Sequence, residues 1–176
     1  MWDIKRRLSL LPLTVADALQ NTSPEIRNGM TGQRLRAGKP LAVTVGKKTV
    51  FLSTAGAASS VENGLIVPCK TVQEALLSLC GHSLHGIEKT LEQGYFTATG
   101  GFRVGVCMKP DGGRQGEALS LCIRLPREII GAAKEIYPIW KKSSGFILAG
   151  PPASGKTTVL RDLCRMVSAG FDDAPC

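Results

Sequence analysis

The sequence predicts an α/β protein in two parts. An α+β N-terminal domain covers residues 1–138, and after a linker at 139–145 a second domain opens with strand, loop and helix over 146–176. Three observations carry this reading. Strand-length segments of alternating apolar residues recur between 41 and 125, stretches of helical spacing lie around them, and a glycine-punctuated loop at 150–157 joins an apolar strand to an amphipathic helix. With 176 residues, 43% of them hydrophobic, the chain can bury a real core. A charged fraction of 20% and the 20 glycines fit an ordinary globular protein, not a disordered tail.

The N-terminal stretch MWDIKRRLSLLPLTVADALQ is interrupted by Pro12 and Asp17 and has no small-residue cleavage site, so it does not read as a signal peptide. No apolar run approaches the roughly 18 residues of a membrane span. LPLTVADALQNTSPEIRNGM predicts one or two short helices broken near Pro24, with Thr14 as N-cap and Asp17 favourable to the helix dipole. In RLRAGKPLAVTVGKKTVFLS, Leu41, Val43 and Val45 alternate with small or polar residues. Gly46-Lys47-Lys48 makes a turn and residues 49–52 run back, which predicts a hairpin. STAGAASSVENG reads as a surface loop. Thr71 with Glu74 forms a capping box ahead of an apolar helical face, and Leu84, Ile87 and Leu91 predict a second helix over about 83–93. From Gly94 onward the period changes to two, through YFTATG, GFRVGVCM, the turn PDGGRQG and ALSLCIRLP. In the last of these Leu119, Leu121, Ile123 and Leu125 face one way, with Ser120, Cys122 and Arg124 opposite. REIIGAAKEIYPIW predicts a helix ending near Pro138, KKSSG a linker, FILAG a brief strand, and KTTVLRDLCRMVSAG a helix with Val159, Leu160, Leu163, Met166 and Val167 on one side.

Gly150-Pro151-Pro152-Ala153-Ser154-Gly155-Lys156-Thr157 fits the phosphate-binding pattern G-x-x-x-x-G-K-[ST] at every position. Average residue usage produces that pattern by chance in no more than roughly one chain of this length in a hundred. Gly150 and Gly155 let backbone amides turn toward phosphate oxygens, and Lys156 reaches the β- and γ-phosphates of ATP. The Thr157 hydroxyl ligates Mg²⁺, Thr158 contacts the α-phosphate, and the helix N-terminus adds positive potential. The second domain is therefore predicted to be a P-loop NTPase domain, of RecA-like type on the family resemblance given below. Hydrolysis needs an acidic strand for the metal and a residue that positions water. Only 19 residues follow Thr157, and Asp172 and Asp173 have no apolar strand before them. The sequence as written is thus expected to be a truncated product or a fragment, unable to hydrolyse ATP alone. Without a sheet to cover, Val159, Leu163 and Met166 are expected to be exposed, and the segment mobile or packed on the N-terminal domain.

A net charge of +8 and a pI of about 9.4 suit an anionic partner, whether nucleotide, nucleic acid, anionic membrane or acidic subunit. The cysteines Cys69, Cys80, Cys107, Cys122, Cys164 and Cys176 are scattered without a C-x-x-C pair, and read as reduced thiols of a cytosolic protein. His82 and His85 lack a third metal ligand and read as surface residues.

RLRAGKPL, GHSLHGIEKTLEQGYFTATGGFRVGVC, LSLCIRLPREIIGAA and GPPASGKTTVLRDLCRMVS, in this order and spacing, closely resemble the stage III sporulation protein AA family. The resemblance covers nearly all of this chain but about the N-terminal half of a typical member. It implies a cytoplasmic ATPase, peripheral at the inner face of the mother-cell membrane, that serves the channel between mother cell and forespore. Its partners would be other stage III sporulation channel proteins. It further implies kinship with type II and type IV secretion and pilus motors, and a homo-oligomer, a hexamer, at full length. In those motors N-terminal arginines approach nucleotide phosphates, which makes Arg103, Arg124 and Arg114 candidates for phosphate sensing in the manner of an arginine finger. Arg34 and Arg36 form a subunit contact or, as preferred here, the polar face of a strand. Ala153 replaces a glycine common in relatives. Two other readings compete: a nucleic-acid-dependent P-loop protein, which the sparse aromatics and dispersed basic residues disfavour, and a non-catalytic interaction module with a vestigial loop.

Overall fold

A computed structural model describes residues 8–58, 60–98, 101–109, 116–125, 129–152 and 154–169. The fold is mixed α/β, and the chain divides into two compact units, Met1–Pro126 and Arg127–Cys176.

The first unit is built on a seven-stranded sheet. Its strands are β1 (Met30–Arg36), β3 (Ala42–Val45), β4 (Lys48–Ser53), β5 (Gly56–Ala57), β7 (Tyr95–Ala98), β8 (Phe102–Met108) and β9 (Ala118–Arg124). They lie in the order β5-β4-β3-β1-β9-β8-β7, every neighbouring pair antiparallel. A separate ribbon pairs β2 (Lys39–Pro40) with β6 (Ile66–Val67). The helices are α1 (Leu13–Gln20), α2 (Pro24–Gly29), α3 (Cys69–Leu79) and α4 (Glu88–Glu92).

Alternation along the strands decides which face is buried. Leu35 of β1 faces Leu121 of β9, Ile123 of β9 faces Val104 of β8, and Val104 faces Phe96 of β7. These residues pack with Val15 and Leu19 of α1 and with Val72, Ala75, Leu76 and Leu79 of α3 into one core. Burying each large apolar side chain contributes about 1.5–3 kcal/mol, so this face of the sheet holds the unit together. The other face, which carries Arg34, Arg36, Arg103, Cys107, Cys122 and Arg124, is exposed at each of those residues.

Among the buried polar groups of this unit, Gln33 interrupts the core with an unpaired atom. Gln33 is fully buried between Val43 and Ile123; its amide nitrogen meets the Met30 sulfur at 3.5 Å, and its Oε1 has no partner. A buried acceptor without a donor costs more than an apolar group of the same shape. Gln33→Met is therefore expected to stabilise the unit by about 1 kcal/mol, read as a higher urea midpoint with an unchanged slope.

Several local expectations are corrected. α1 starts after Pro12 and α3 after Pro68, neither with a side-chain cap, so Thr14 and Thr71 lie inside first turns. Thr71 is buried on the same face as Val72 and Ala75, which is why its hydroxyl forms no capping box with Glu74. Ser23 instead caps α2, accepting from the Ile26 amide at 3.5 Å. The helix expected over 83–93 is a 3₁₀ turn, His85–Ile87, followed by α4. The loop after β4 first doubles back as β5, where Gly56 has φ +113° and an added Cβ would collide with the Asn21 carbonyl. Only glycine allows that approach.

In the second unit the expected helix ending near Pro138 is, among the described residues, a series of turns at 130–136 followed by α5 (Tyr137–Lys141). Proline suits the first turn of a helix because its missing N–H has no acceptor there, so Pro138 helps to start α5 instead of ending a helix. FILAG forms no strand. A strand exists only through a neighbour's hydrogen bonds, and the described part of this unit contains no other strand.

Candidate phosphate-binding loop and an arginine-bearing sheet face

The loop over 150–155 leads into α6 (Lys156–Ser168). Gly155, the N-cap of α6, has φ +86°, a left-handed conformation that a side chain would strain. The loop is tight: a Cβ on Gly150 would lie 2.9 Å from Ser154 Oγ, and the Ser154 amide donates to the Pro151 carbonyl at 3.3 Å. The Lys156 ammonium curls over it, donating to the carbonyls of Gly150 at 2.7 Å and Pro151 at 2.6 Å and to Ser154 Oγ at 3.4 Å. Helix geometry leaves the amides of Lys156, Thr157 and Thr158 without intrahelical acceptors, and the dipole adds positive potential there. Thr157 is exposed and Thr158 half-buried. Glycine dihedral, lysine and helix N-terminus therefore fit a polyphosphate. Pro151 and Pro152 are exposed on the loop, while Ala153, Asp172 and Asp173 lie outside the described residues.

α6 is held by its own unit. Leu163 and Met166 are buried against Ala133, Tyr137, Trp140 and Phe146, with Val159 and Val167 at the margin. This corrects the expectation that Val159, Leu163 and Met166 lie exposed: the turns at 130–136, α5 and Phe146 cover them. Leu160, expected on the same side, is 42% exposed, as is nearly all of Ile147 at 94%.

A residue overlooked in the sequence sits within that apolar stripe. Asp162 is buried, and its Oδ2 accepts from the Ala133 amide at 2.8 Å. Its Oδ1 accepts from Arg165 Nε and Nη2, each at 2.8 Å. The Ala133 amide, and then Arg165 and the Gly131 amide, hold the carboxyl below the ordinary aspartate range against the opposing effect of burial. The signal was legible: an acidic residue at the helical spacing of Val159, Leu163 and Met166, with arginine three positions later.

The arginines of the first unit share one surface. Arg103 of β8 and Arg124 of β9 are direct cross-strand partners, both exposed. The Arg103 guanidinium lies over the Tyr95 ring, 5.5 Å from its centroid. Arg34 and Arg36 project from β1 on the same face, opposite Cys122 and Ser120. Arg114 lies outside the described residues.

The remaining candidates are the histidines and the cysteines. His82 and His85 are exposed; His85 Nδ1 lies 3.8 Å from Glu88, and among the described residues no group of His, Cys, Asp and Glu could hold a metal ion. Cys69, Cys80, Cys107, Cys122 and Cys164 are free thiols. Cys69 donates to Glu117 Oε1 at 3.0 Å, and that hydrogen bond, followed by burial and the Glu117 charge, raises its pKa against the pull of Lys109. At pH 8 a disulfide reagent is expected to modify Cys107, Cys122 and Cys164 several-fold faster than Cys69, the gap narrowing as pH rises; peptide mass mapping reads this directly. No helix among the described residues is long and apolar enough to cross a membrane.

Residues 3–175 match the family model described as "Sporulation stage III, protein AA". Stage III sporulation protein AA of Bacillus subtilis (strain 168) is 31% identical over 168 residues, covering 92% of this chain; the chain spans about half, 51%, of that relative's length. Among solved structures, the pilus retraction motor PilT with bound ADP is similar with a TM-score of 0.51 at 22% identity, over 82% of this chain and 41% of that one. The Legionella pneumophila ATPase DotB gives a TM-score of 0.48 at 12% identity, over 84% of this chain and 40% of its own.

Proposed function

Because the chain belongs to the stage III sporulation protein AA family, we propose that it is the nucleotide-binding N-terminal part of a secretion-type motor ATPase serving the mother cell–forespore channel. The observation that carries this is the loop at 150–157 opening α6, with Gly155 left-handed and Lys156 poised over the loop carbonyls. Gly150 and Gly155 shape the cradle, Lys156 and the first-turn amides bind the phosphates of ATP, and Thr157 would hold Mg²⁺ through its hydroxyl. Mg²⁺, when bound, would supply charge neutralisation to the phosphate oxygens. Arg103 and Arg124, with Arg114, sense γ-phosphate charge. Turnover belongs to the protein at the length of its relatives, working as a homo-oligomer, a hexamer, on the cytoplasmic side of the mother-cell membrane with other stage III channel proteins. The PilT structure, with its bound ADP, supports the nucleotide part of this reading.

Calorimetric titration tests it. The chain is expected to bind MgATP saturably, with ADP competing, and to show no DNA or RNA binding at physiological salt. Absence of nucleotide binding, together with nucleic-acid binding that falls steeply with salt, would instead favour a nucleic-acid-dependent protein.

A further inference from the structure

We infer that Cys107 and Cys122 form a two-thiolate site for a soft monovalent metal ion, Cu(I), on the open face of the sheet. Both thiols are free and exposed. They stand on neighbouring strands at adjacent levels of the register. Cys107 of β8 lies opposite Ser120 of β9, and Cys122 of β9 lies opposite Gly105 of β8. The two cysteines are therefore a diagonal pair, about 7–8 Å apart at Cα and somewhat closer at Cβ. The other diagonal is a glycine and a serine, so no bulky side chain stands between the sulfurs. The other described thiols are placed differently. Cys69 donates to Glu117 and Cys80 to the Leu77 carbonyl, at opposite ends of α3, and Cys164 belongs to the second unit.

Spacing and ligand number identify the occupant. A direct disulfide needs Cα atoms about 4.4–6.8 Å apart, closer than a diagonal pair stands. One bridging ion removes that mismatch, because metal–sulfur bonds of about 2.3 Å hold two sulfurs about 4.6 Å apart when they lie in line. Thiolate is a soft ligand, which selects Cu(I), Zn²⁺ or iron–sulfur clusters over hard cations. Structural zinc and the clusters call for four ligands. Among the described residues no group of three or more His, Cys, Asp and Glu could hold a metal ion. Cu(I) is satisfied by two thiolates in line. On binding, each thiol releases its proton to solvent and two copper–sulfur bonds form. Copper stays monovalent, so no electron moves. Two thiolates and one Cu(I) carry one net negative charge, and the surroundings suit it. Arg34 is the cross-strand partner of Cys122 on β1, Arg124 follows two residues along β9, and Arg36 stands opposite Ser120. None of the sheet's strands contains Asp or Glu, so the charge nearest the complex within the sheet offsets its own.

The test titrates the reduced 176-residue chain, under nitrogen, with Cu(I) in competition with the chelator bathocuproine disulfonate. The chain is expected to withdraw about one equivalent of Cu(I) and to stay the same size by gel filtration. Cu(I) should shield Cys107 and Cys122, but not Cys164, from iodoacetamide, as peptide mass mapping reads. Cys107→Ser and Cys122→Ser should each weaken Cu(I) binding at least about 100-fold, while Cys80→Ser and Cys164→Ser change it less than about twofold. Gly105→Val keeps both thiols but fills the ground between them. A Cβ there would meet the Cys122 Cβ at 3.8 Å, an ordinary contact, so the sheet accepts the side chain. Cu(I) binding should still fall about tenfold, because the sulfurs can no longer converge. An unchanged affinity in Gly105→Val, or in either serine variant of the pair, would overturn the site, since independent surface thiols would then be at work. So would copper-dependent dimerisation through single thiols of two chains, or displacement of Cu(I) by Zn²⁺ at equal concentration, which needs ligands beyond the pair. No step involves nucleotide, so each of these results stands whether or not the loop at 150–157 binds MgATP.

Discussion

Lys156→Ala is expected to weaken MgATP binding at the loop at least 100-fold relative to the unsubstituted chain, with the fold unchanged by circular dichroism. The reason lies in what the ammonium does. It sits within 2.7 Å of two loop carbonyls and reaches Ser154 Oγ at 3.4 Å, so one cation organises the loop from within. When polyphosphate enters, the same cation can exchange carbonyl oxygens for anionic phosphate oxygens, which adds charge–charge attraction to hydrogen bonds that already have a charged donor. Alanine removes both the charge and the loop's internal donor. Lys156→Arg is expected to recover little, because a planar fork cannot replace a compact ammonium inside a loop this tight. Thr157→Ala, by contrast, should reduce the magnesium dependence of binding more than binding itself, since its role is to hold the metal. Calorimetry with and without Mg²⁺ separates the two. Equal affinities for Lys156→Ala and the unsubstituted chain would show that nucleotide is not held at this loop.

Much of the sheet was legible because alternation and burial point the same way. Leu121, Ile123 and Leu125 are buried where Cys122 and Arg124 are exposed, and the hairpin at 42–53 closes around Gly46 as its turn chemistry demands. Helix starts were harder to read. A threonine followed by an acidic residue resembles a cap whether or not a proline upstream has already begun the helix, and Thr71 lost that competition to burial on α3. Pro138 was ambiguous for a related reason, since proline is tolerated at a helix start and excluded from its interior. The loop glycines and Lys156 could be recognised from spacing alone, because phosphate binding needs those residue types in a contiguous run. The arginine face could not. Arg34, Arg103 and Arg124 are distant in sequence, and only the register of β1, β9 and β8 makes them neighbours. Asp162 was hidden because its partner is a backbone amide, and an amide leaves no mark in the sequence.

Asp162 carries the second large expected effect. Asp162→Ala should lower the melting temperature of the second unit by roughly 5–10 °C and shift Trp140 fluorescence to the red. The carboxylate ties α6 to the turns at 130–136 through the Ala133 amide, and it neutralises Arg165 in the same place. Removing it leaves a buried amide without an acceptor and a half-buried guanidinium without a counter-charge, both costlier than the loss of one contact suggests. Trp140 reports the change because it packs in the same cluster as Ala133, Leu163 and Met166. The pH dependence has a definite sign. The folded carboxyl titrates below its unfolded value near 3.9, so its contribution is fully present above that pH and is lost as pH falls through the lower, folded pKa. Asp162→Asn preserves an acceptor for Ala133 but not the charge facing Arg165. It is therefore expected to fall between the two at neutral pH and to lose the acid-dependent part of the transition. Acid titration of Trp140 fluorescence in the three proteins distinguishes the roles: an unchanged acid transition in Asp162→Asn would assign it to another carboxylate. A fall in melting temperature confined to the alanine variant would show that the amide, not the arginine, is what Asp162 is there to hold.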